Sequence, residues 1–207
     1  ASHNWMRGVH TAGSDMLVEG CEVYDNYYGI RVDGDDITIR NNRVYDNIFW
    51  ENGDGIHVEG ASGDSATRIN LESNDIYDNN YGDSADNIQI AGYVDGVTAR
   101  WNKLHGARGL IVTNSSANVK AYFNVFYSDG YRAKFGLYSA LVGGKIEFYN
   151  NTLYLDNVAD GGIKITSAHA DGLYVRNNIV YATDTVCLYR TAAADVANVT
   201  LSNNLYY

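Results

Sequence analysis

Apolar and polar positions alternate in short runs along the whole chain. Ile37-Thr38-Ile39-Arg40-Asn41-Asn42-Arg43-Val44 and Ile69-Asn70-Leu71-Glu72-Ser73-Asn74-Asp75-Ile76 show the repeating unit, with an Asn after paired aliphatics. Residues 97–104, 119–126, 146–153, 173–180 and 199–206 follow it, and residues 16–23 open it with Cys21 at the Asn position. A period of two predicts a short strand with one buried face, and no run holds a 3.6-residue period long enough to favour a helix. A second predicted strand recurs as Gly29-Ile30-Arg31-Val32, Gly55-Ile56-His57-Val58, Asn87-Ile88-Gln89-Ile90 and Gly109-Leu110-Ile111-Val112. Gly8-Val9-His10 begins this series, and Gly136-Leu137-Tyr138 and Gly162-Ile163-Lys164-Ile165 continue it. Its glycines point to a turn conformation or a close backbone approach.

The aligned asparagines are Asn42, Asn74, Asn102, Asn124, Asn151, Asn178 and Asn204, separated by 32, 28, 22, 27, 27 and 26 residues. A fixed motif at variable spacing means constant coils joined by loops of different length. One coil cannot bury its apolar side alone, so stacking must complete the core. The expected fold is an all-β parallel solenoid of about eight coils, a single domain over residues 1–207. An internal row of amides would satisfy polar groups that are costly inside. Tyr24, Tyr45, Tyr77, Tyr127, Tyr154 and Tyr181 form a predicted outer row that His105 interrupts.

Composition narrows the partners. The 207 residues are 45% hydrophobic, and 25 acidic against 15 basic side chains give a net charge of -10. That balance argues against nucleic acid, though local basic groups or a bridging cation leave an anionic polysaccharide open. With no proline and 21 glycines, Gly and Asn must make the turns. Cys21 and Cys187 fall in coils at opposite ends of the stack, too far apart to bridge, and read as small buried side chains. No transmembrane run or polybasic segment suggests a membrane partner.

Segments such as Asn42-Arg43-Val44-Tyr45-Asp46-Asn47 and Asn74-Asp75-Ile76-Tyr77-Asp78-Asn79, each followed by a Gly-Ile-x-Val-like strand, resemble repeats of the pectate-lyase-like superfamily. The resemblance covers nearly the whole chain and implies a right-handed single-stranded parallel β-helix with three sheets and an Asn ladder. It also implies an extracellular or cell-surface setting and an acidic polysaccharide or oligosaccharide partner. Lyases, hydrolases, epimerases, tailspikes and noncatalytic binders share the scaffold, so activity must come from the site.

Outward positions of the second strand make a row of His10, Arg31, His57, Gln89, Ile111, Tyr138 and Lys164, beside Asp33, Glu59, Ala91, Thr113 and Ala140. Arg31, His57, Gln89, Tyr138 and Lys164 are the candidate sugar-binding residues. Just before the strand stand Asp54, Asp86, Arg108 and, with a one-residue shift, Lys134. Asp54 and Asp86 are candidate ligands for Ca²⁺, which would neutralise a uronate carboxylate. Arg108 or Lys134 would abstract a proton or stabilise charge near C5, giving lyase-like β-elimination. His57 or His105 is another candidate base, and Asp78 and Asp83 are candidates to join the acidic cluster. Proline-containing pectate lyase signatures are absent, and only Asp35-Asp36 and Arg132-Ala133-Lys134 resemble pieces of the polygalacturonase set. The competing expectation is a noncatalytic carbohydrate-binding or structural module of an adhesin or tailspike. The final copy carries no polar cap, which points to a longer solenoid or to another protomer covering an end.

Overall fold

A computed structural model describes residues 4–48, 53–79, 85–113, 116–128, 137–139, 144–156, 161–166, 172–183, 186–190 and 198–207. Among these residues, 24 strands form three parallel sheets of eight. Sheet one contains β1 (Asn4–Thr11), β4 (Asn26–Val32), β7 (Ile56–Gly60), β10 (Asp86–Gly92), β13 (Arg108–Val112), β16 (Leu137–Ser139), β19 (Ile163–Ile165) and β22 (Leu188–Arg190). Sheet two contains β2 (Leu17–Glu19), β5 (Thr38–Arg40), β8 (Ala66–Glu72), β11 (Val94–Arg100), β14 (Ala117–Tyr122), β17 (Ile146–Tyr149), β20 (Leu173–Arg176) and β23 (Val199–Ser202). Sheet three contains β3 (Glu22–Tyr24), β6 (Arg43–Tyr45), β9 (Asp75–Tyr77), β12 (Lys103–His105), β15 (Val125–Ser128), β18 (Thr152–Leu155), β21 (Ile179–Ala182) and β24 (Leu205–Tyr206). Each coil gives one strand to each sheet, so every third strand pairs. This is the eight-coil parallel β-helix expected from the repeat.

The core is a column of aliphatics: Ile30, Ile56, Ile88 and Leu110 from sheet one, Ile39, Leu71 and Ala99 from sheet two, Val44, Ile76 and Leu104 from sheet three. At the turn from sheet two to sheet three, each ladder Asn Nδ2 donates to the next Asn Oδ1 at 2.9–3.1 Å, from Asn42 to Asn204. Cys21, which lacks an amide, keeps only the backbone half of this contact, its N–H donating to Asn42 Oδ1 as the N–H of each ladder Asn does to the next. The residue before each ladder position is left-handed, whether Gly20, Asn41, Ser73, Trp101, Phe123, Asn150, Asn177 or Asn203. Gly and Asn tolerate that region, whereas Trp101 and Phe123 enter it against their preference, held by the hydrogen bonds on either side.

A second amide ladder, not anticipated from the sequence, lines the turn from sheet three to sheet one. Asn26 Nδ2 donates to Asn47, Asn47 to Asn79 and Asn79 to Asn87, at 3.0, 2.8 and 3.2 Å. These amides explain the glycines that open the second strand. A Cβ on Gly29 would sit 2.8 Å from Asn47 Nδ2, and one on Gly55 2.6 Å from Asn79 Nδ2. Close approach is therefore the reason for them; neither is left-handed. The tyrosine row is a column of near-parallel rings, Tyr24–Tyr45–Tyr77 and Tyr127–Tyr154–Tyr181, with centroids 5.0–5.6 Å apart. His105 extends it rather than interrupting it, stacking on Tyr77 at 4.7 Å. A flat imidazole preserves the face-to-face contact that a tyrosine would make. Cys21 and Cys187 are free thiols, half-buried rather than fully buried. Among the described residues no helix is long and apolar enough to cross a membrane.

Candidate functional site

Strand pairing puts the expected outward row of sheet one in register. His10 pairs with Arg31, Arg31 with His57, His57 with Gln89, Gln89 with Ile111, Ile111 with Tyr138 and Tyr138 with Lys164. Coils are about 4.8 Å apart, so Lys164 lies four steps, about 19 Å, from His57 and outside its immediate cluster. Tyr138 is described only through its backbone, and Lys134 and Asp83 lie outside the described residues. Asp78 occupies the left-handed turn position after Tyr77.

His105 stands apart on sheet three, its Nε2 3.0 Å from Asp75 Oδ1, whereas Arg31, Asp54, His57, Asp86 and Arg108 converge. Asp54 is 1% exposed and His57 5% exposed, and Asp54 Oδ2 lies 2.7 Å from His57 Nδ1. Asp54 Oδ1 accepts the backbone N–H of Asp86 at 2.9 Å, which ties two coils together. With Asp54 as acceptor, Nδ1 carries a ring hydrogen, and Nε2 is the nitrogen turned toward Glu59. Glu59 Oε2 lies 3.3 Å from that Nε2 and forms an ion pair with Arg31 Nη2 at 2.8 Å. Arg31 also donates to Asp33 at 3.2 Å, and His10 Nε2 meets the same Asp33 carboxylate at 2.5 Å. An unbroken line of paired polar side chains thus runs across three coils from His10 to Asp54.

Asp86 is fully buried beneath this line, and Arg108 Nε lies 2.7 Å from its Oδ1. The guanidinium Nε–H is directed to Ala85 O at 3.2 Å, so the contact is an ion pair at a poor hydrogen-bond angle. Among the described residues both Asp86 oxygens lack a hydrogen-bond partner. Burial first, and the Asp54 charge second, hold the Asp86 carboxyl well above the ordinary range, against the pull of Arg108. Tyr28 was not anticipated. Its ring centroid is 4.5 Å from that of His57, and burial, with a hydrogen bond to Tyr27, pushes its phenol upward, so it stays protonated. Only register could have found it, because Tyr28 precedes Ile30 by the same two residues that separate Asp54 from Ile56.

Ca²⁺ fits this donor set poorly. Both Asp54 oxygens already accept hydrogen bonds, and Asp86 has a guanidinium beside it, where a divalent cation would meet like charge. No group of three or more acidic, His or Cys side chains suited to a metal occurs among the described residues.

No curated protein and no solved structure matches the chain. Residues 1–126, which carry every member of the cluster, match the family model described as right handed beta helix region. Three parallel sheets, a repeat in every coil and that match together show that the chain belongs to the right-handed β-helix family.

Proposed function

We propose that the chain processes an acidic polysaccharide on the outer face of sheet one by β-elimination beside a uronate carboxylate. The observation that carries this reading is the carboxylate of Glu59, one oxygen of which lies between Arg31 Nη2 and His57 Nε2. A uronate carboxylate arriving at Arg31 takes the place of Glu59 and brings its own C5–H to Nε2, whose lone pair is free in the neutral ring once Glu59 has left. His57 then removes the C5 proton, with Asp54 fixing the ring and stabilising the imidazolium. The C5–H electron pair becomes the C4=C5 double bond, the C4–O4 bond breaks, and the departing O4 takes a proton from the Tyr28 hydroxyl. Arg31 and Arg108 supply positive charge for the carboxylate in the enolate-like transition state. Arg108 is paired to Asp86 and so acts as a fixed cation rather than as the base.

A binding module is the second reading. It is favoured by the burial of His57 and by the engagement of both its ring nitrogens. Ultraviolet absorbance of the unsaturated uronate product separates the two, across pectate, alginate and glycosaminoglycans, with and without Ca²⁺. Turnover lost in His57→Ala and in Tyr28→Phe supports elimination. Binding of an acidic oligosaccharide without any unsaturated product supports the module. A strict Ca²⁺ requirement with His57→Ala still active would return the chemistry to Asp54, Asp86 and the basic residues.

A further inference from the structure

Sheet two carries a groove of about 520 Å³ on a different face from the cluster above, and nothing in that chemistry uses it. Its origin is a row of backbone bends. Arg68, Gly96 and Asn118 hold equivalent places in β8, β11 and β14, and all three are left-handed, with φ of 55°, 85° and 51°. Each strand therefore turns sharply just before Ile69, Val97 and Val119, leaving a recess along the outside. Gly96 has no side chain to fill its middle, where a Cβ would meet nothing nearer than 3.5 Å.

The polar groups are graded along it. Asn70, Thr98 and Asn118 offer amides and a hydroxyl in the centre. Asn118 is steadied by Asp95, to which its Nδ2 donates at 2.6 Å. Arg68, at one end, is matched by the carboxylate of Asp36, which both of its donor nitrogens reach at 2.6 Å. The other end is not matched. Glu147 is the only carboxylate there among the described residues, and Lys145, Arg176 and Lys120 approach it at 3.1, 3.2 and 4.0 Å. Three cations less one carboxylate leave a surplus of +2, on a chain whose net charge is -10. From Arg68 to Lys145 the groove crosses three inter-strand steps, about 14 Å.

We propose that this groove is a second binding site for an acidic glycan, holding an extended oligosaccharide with a carboxylate or sulfate at Lys120 and Lys145. Neutral hydroxyls meet Asn70, Thr98 and Asn118. Among the described residues the lining has no aromatic ring on which a base could stack, the Tyr174 ring being covered by Lys145 at 5.0 Å, which favours a glycan over a single-stranded nucleic acid. The site needs no catalysis on sheet one. It keeps a polymer on the protein between encounters there, or serves binding alone, raising effective concentration in the manner of a second linked module.

Calorimetry and NMR titration with hexagalacturonate and with a chondroitin sulfate hexasaccharide test it, with maltohexaose as the uncharged control. The wild type binds an acidic hexamer and not the neutral one, with amide shifts at Thr98 and Asn118. Lys120→Ala/Lys145→Ala weakens binding about tenfold or more, because two charge-assisted contacts are lost. Glu147→Gln, which removes the competing carboxylate, tightens it several-fold, a gain that misfolding cannot mimic. His57→Ala leaves these shifts unchanged, so failure of the sheet-one chemistry and failure of this site are read separately. Equal binding by the double lysine variant, no gain in Glu147→Gln, or binding of an oligonucleotide in place of both acidic glycans overturns the proposal.

Discussion

Replacing Asn124 by Leu isolates what the internal ladder contributes. Asn124 is 2% exposed; its Oδ1 accepts from the backbone and side chain of Asn102, both at 3.0 Å, and its Nδ2 donates to Ala99 O and Asn151 Oδ1, both at 3.0 Å. Leucine removes all four bonds. Asn151 Oδ1 keeps the backbone N–H of residue 124, but two N–H groups of Asn102 lose their acceptor inside the core. At about 1–3 kcal/mol each that is about 4 kcal/mol. The buried leucine returns about 2 kcal/mol by the hydrophobic effect. The expected net loss is about 2 kcal/mol, which lowers the urea midpoint by about 0.7–1 M at an unchanged m-value. Asn204→Leu is the matched control. Asn204 makes the same contacts with Asn178 and Val175 but is half-buried, so water replaces the lost acceptor and the loss stays below about 1 kcal/mol. Equal effects at the two positions, or none at Asn124, would refute the argument that desolvated donors, rather than the bonds themselves, set the cost.

Gly55→Ala should cost more than a helix or loop glycine, about 2–4 kcal/mol, since its Cβ would meet Asn87 O at 2.7 Å and Asn79 Nδ2 at 2.6 Å; thermal melting reads it. Asp86 binds its proton more tightly folded than unfolded, so its contribution to stability falls as pH rises from about 4 through its raised folded value. Asp86→Asn should flatten that decline, and an unchanged pH profile of the urea midpoint would show that this carboxyl titrates alike in the folded and unfolded chain. Tyr154→Ala breaks two ring contacts, at 5.6 and 5.0 Å, and should cost about 1–3 kcal/mol beyond any change at its exposed edge, measurable by the same denaturation. Phe123→Asn relieves a bulky residue in the left-handed region at φ 56° and should stabilise by a few tenths to about 1 kcal/mol, offset by the lost edge contact to Tyr122 at 5.5 Å.

Strand, register and first ladder were legible because they depend on a period of two and on one residue type at one place. Arg31, His57 and Gln89 fell into line for the same reason. The second ladder hid in plain view: Asn47 and Asn79 end repeats already aligned, but Asn87 joins only 8 residues later, after a loop that breaks the spacing. Its amide stands where other coils have glycine, and period alone does not tell an inward amide from a turn. The cluster was half legible. Asp54, Asp86 and Arg108 were placed by their shared position before a strand, yet the pairing of Glu59 to Arg31 and His57 runs between coils. Side-chain reach, not sequence spacing, decides such contacts. Lys164 keeps its place in the same row, four coils from His57, where an extended ligand would have to span both.

The amide ladders run in one direction only, donor toward the following coil and acceptor toward the preceding one. Every coil therefore offers its neighbours the same two faces, and a coil is an interchangeable module. Duplicating one within the first ladder would restore a donor and an acceptor at both new junctions and extend the axis by about 4.8 Å. The length of such a protein is thus a parameter evolution can change by whole-coil steps without redesigning a core, and so is the number of glycan units its surface can span.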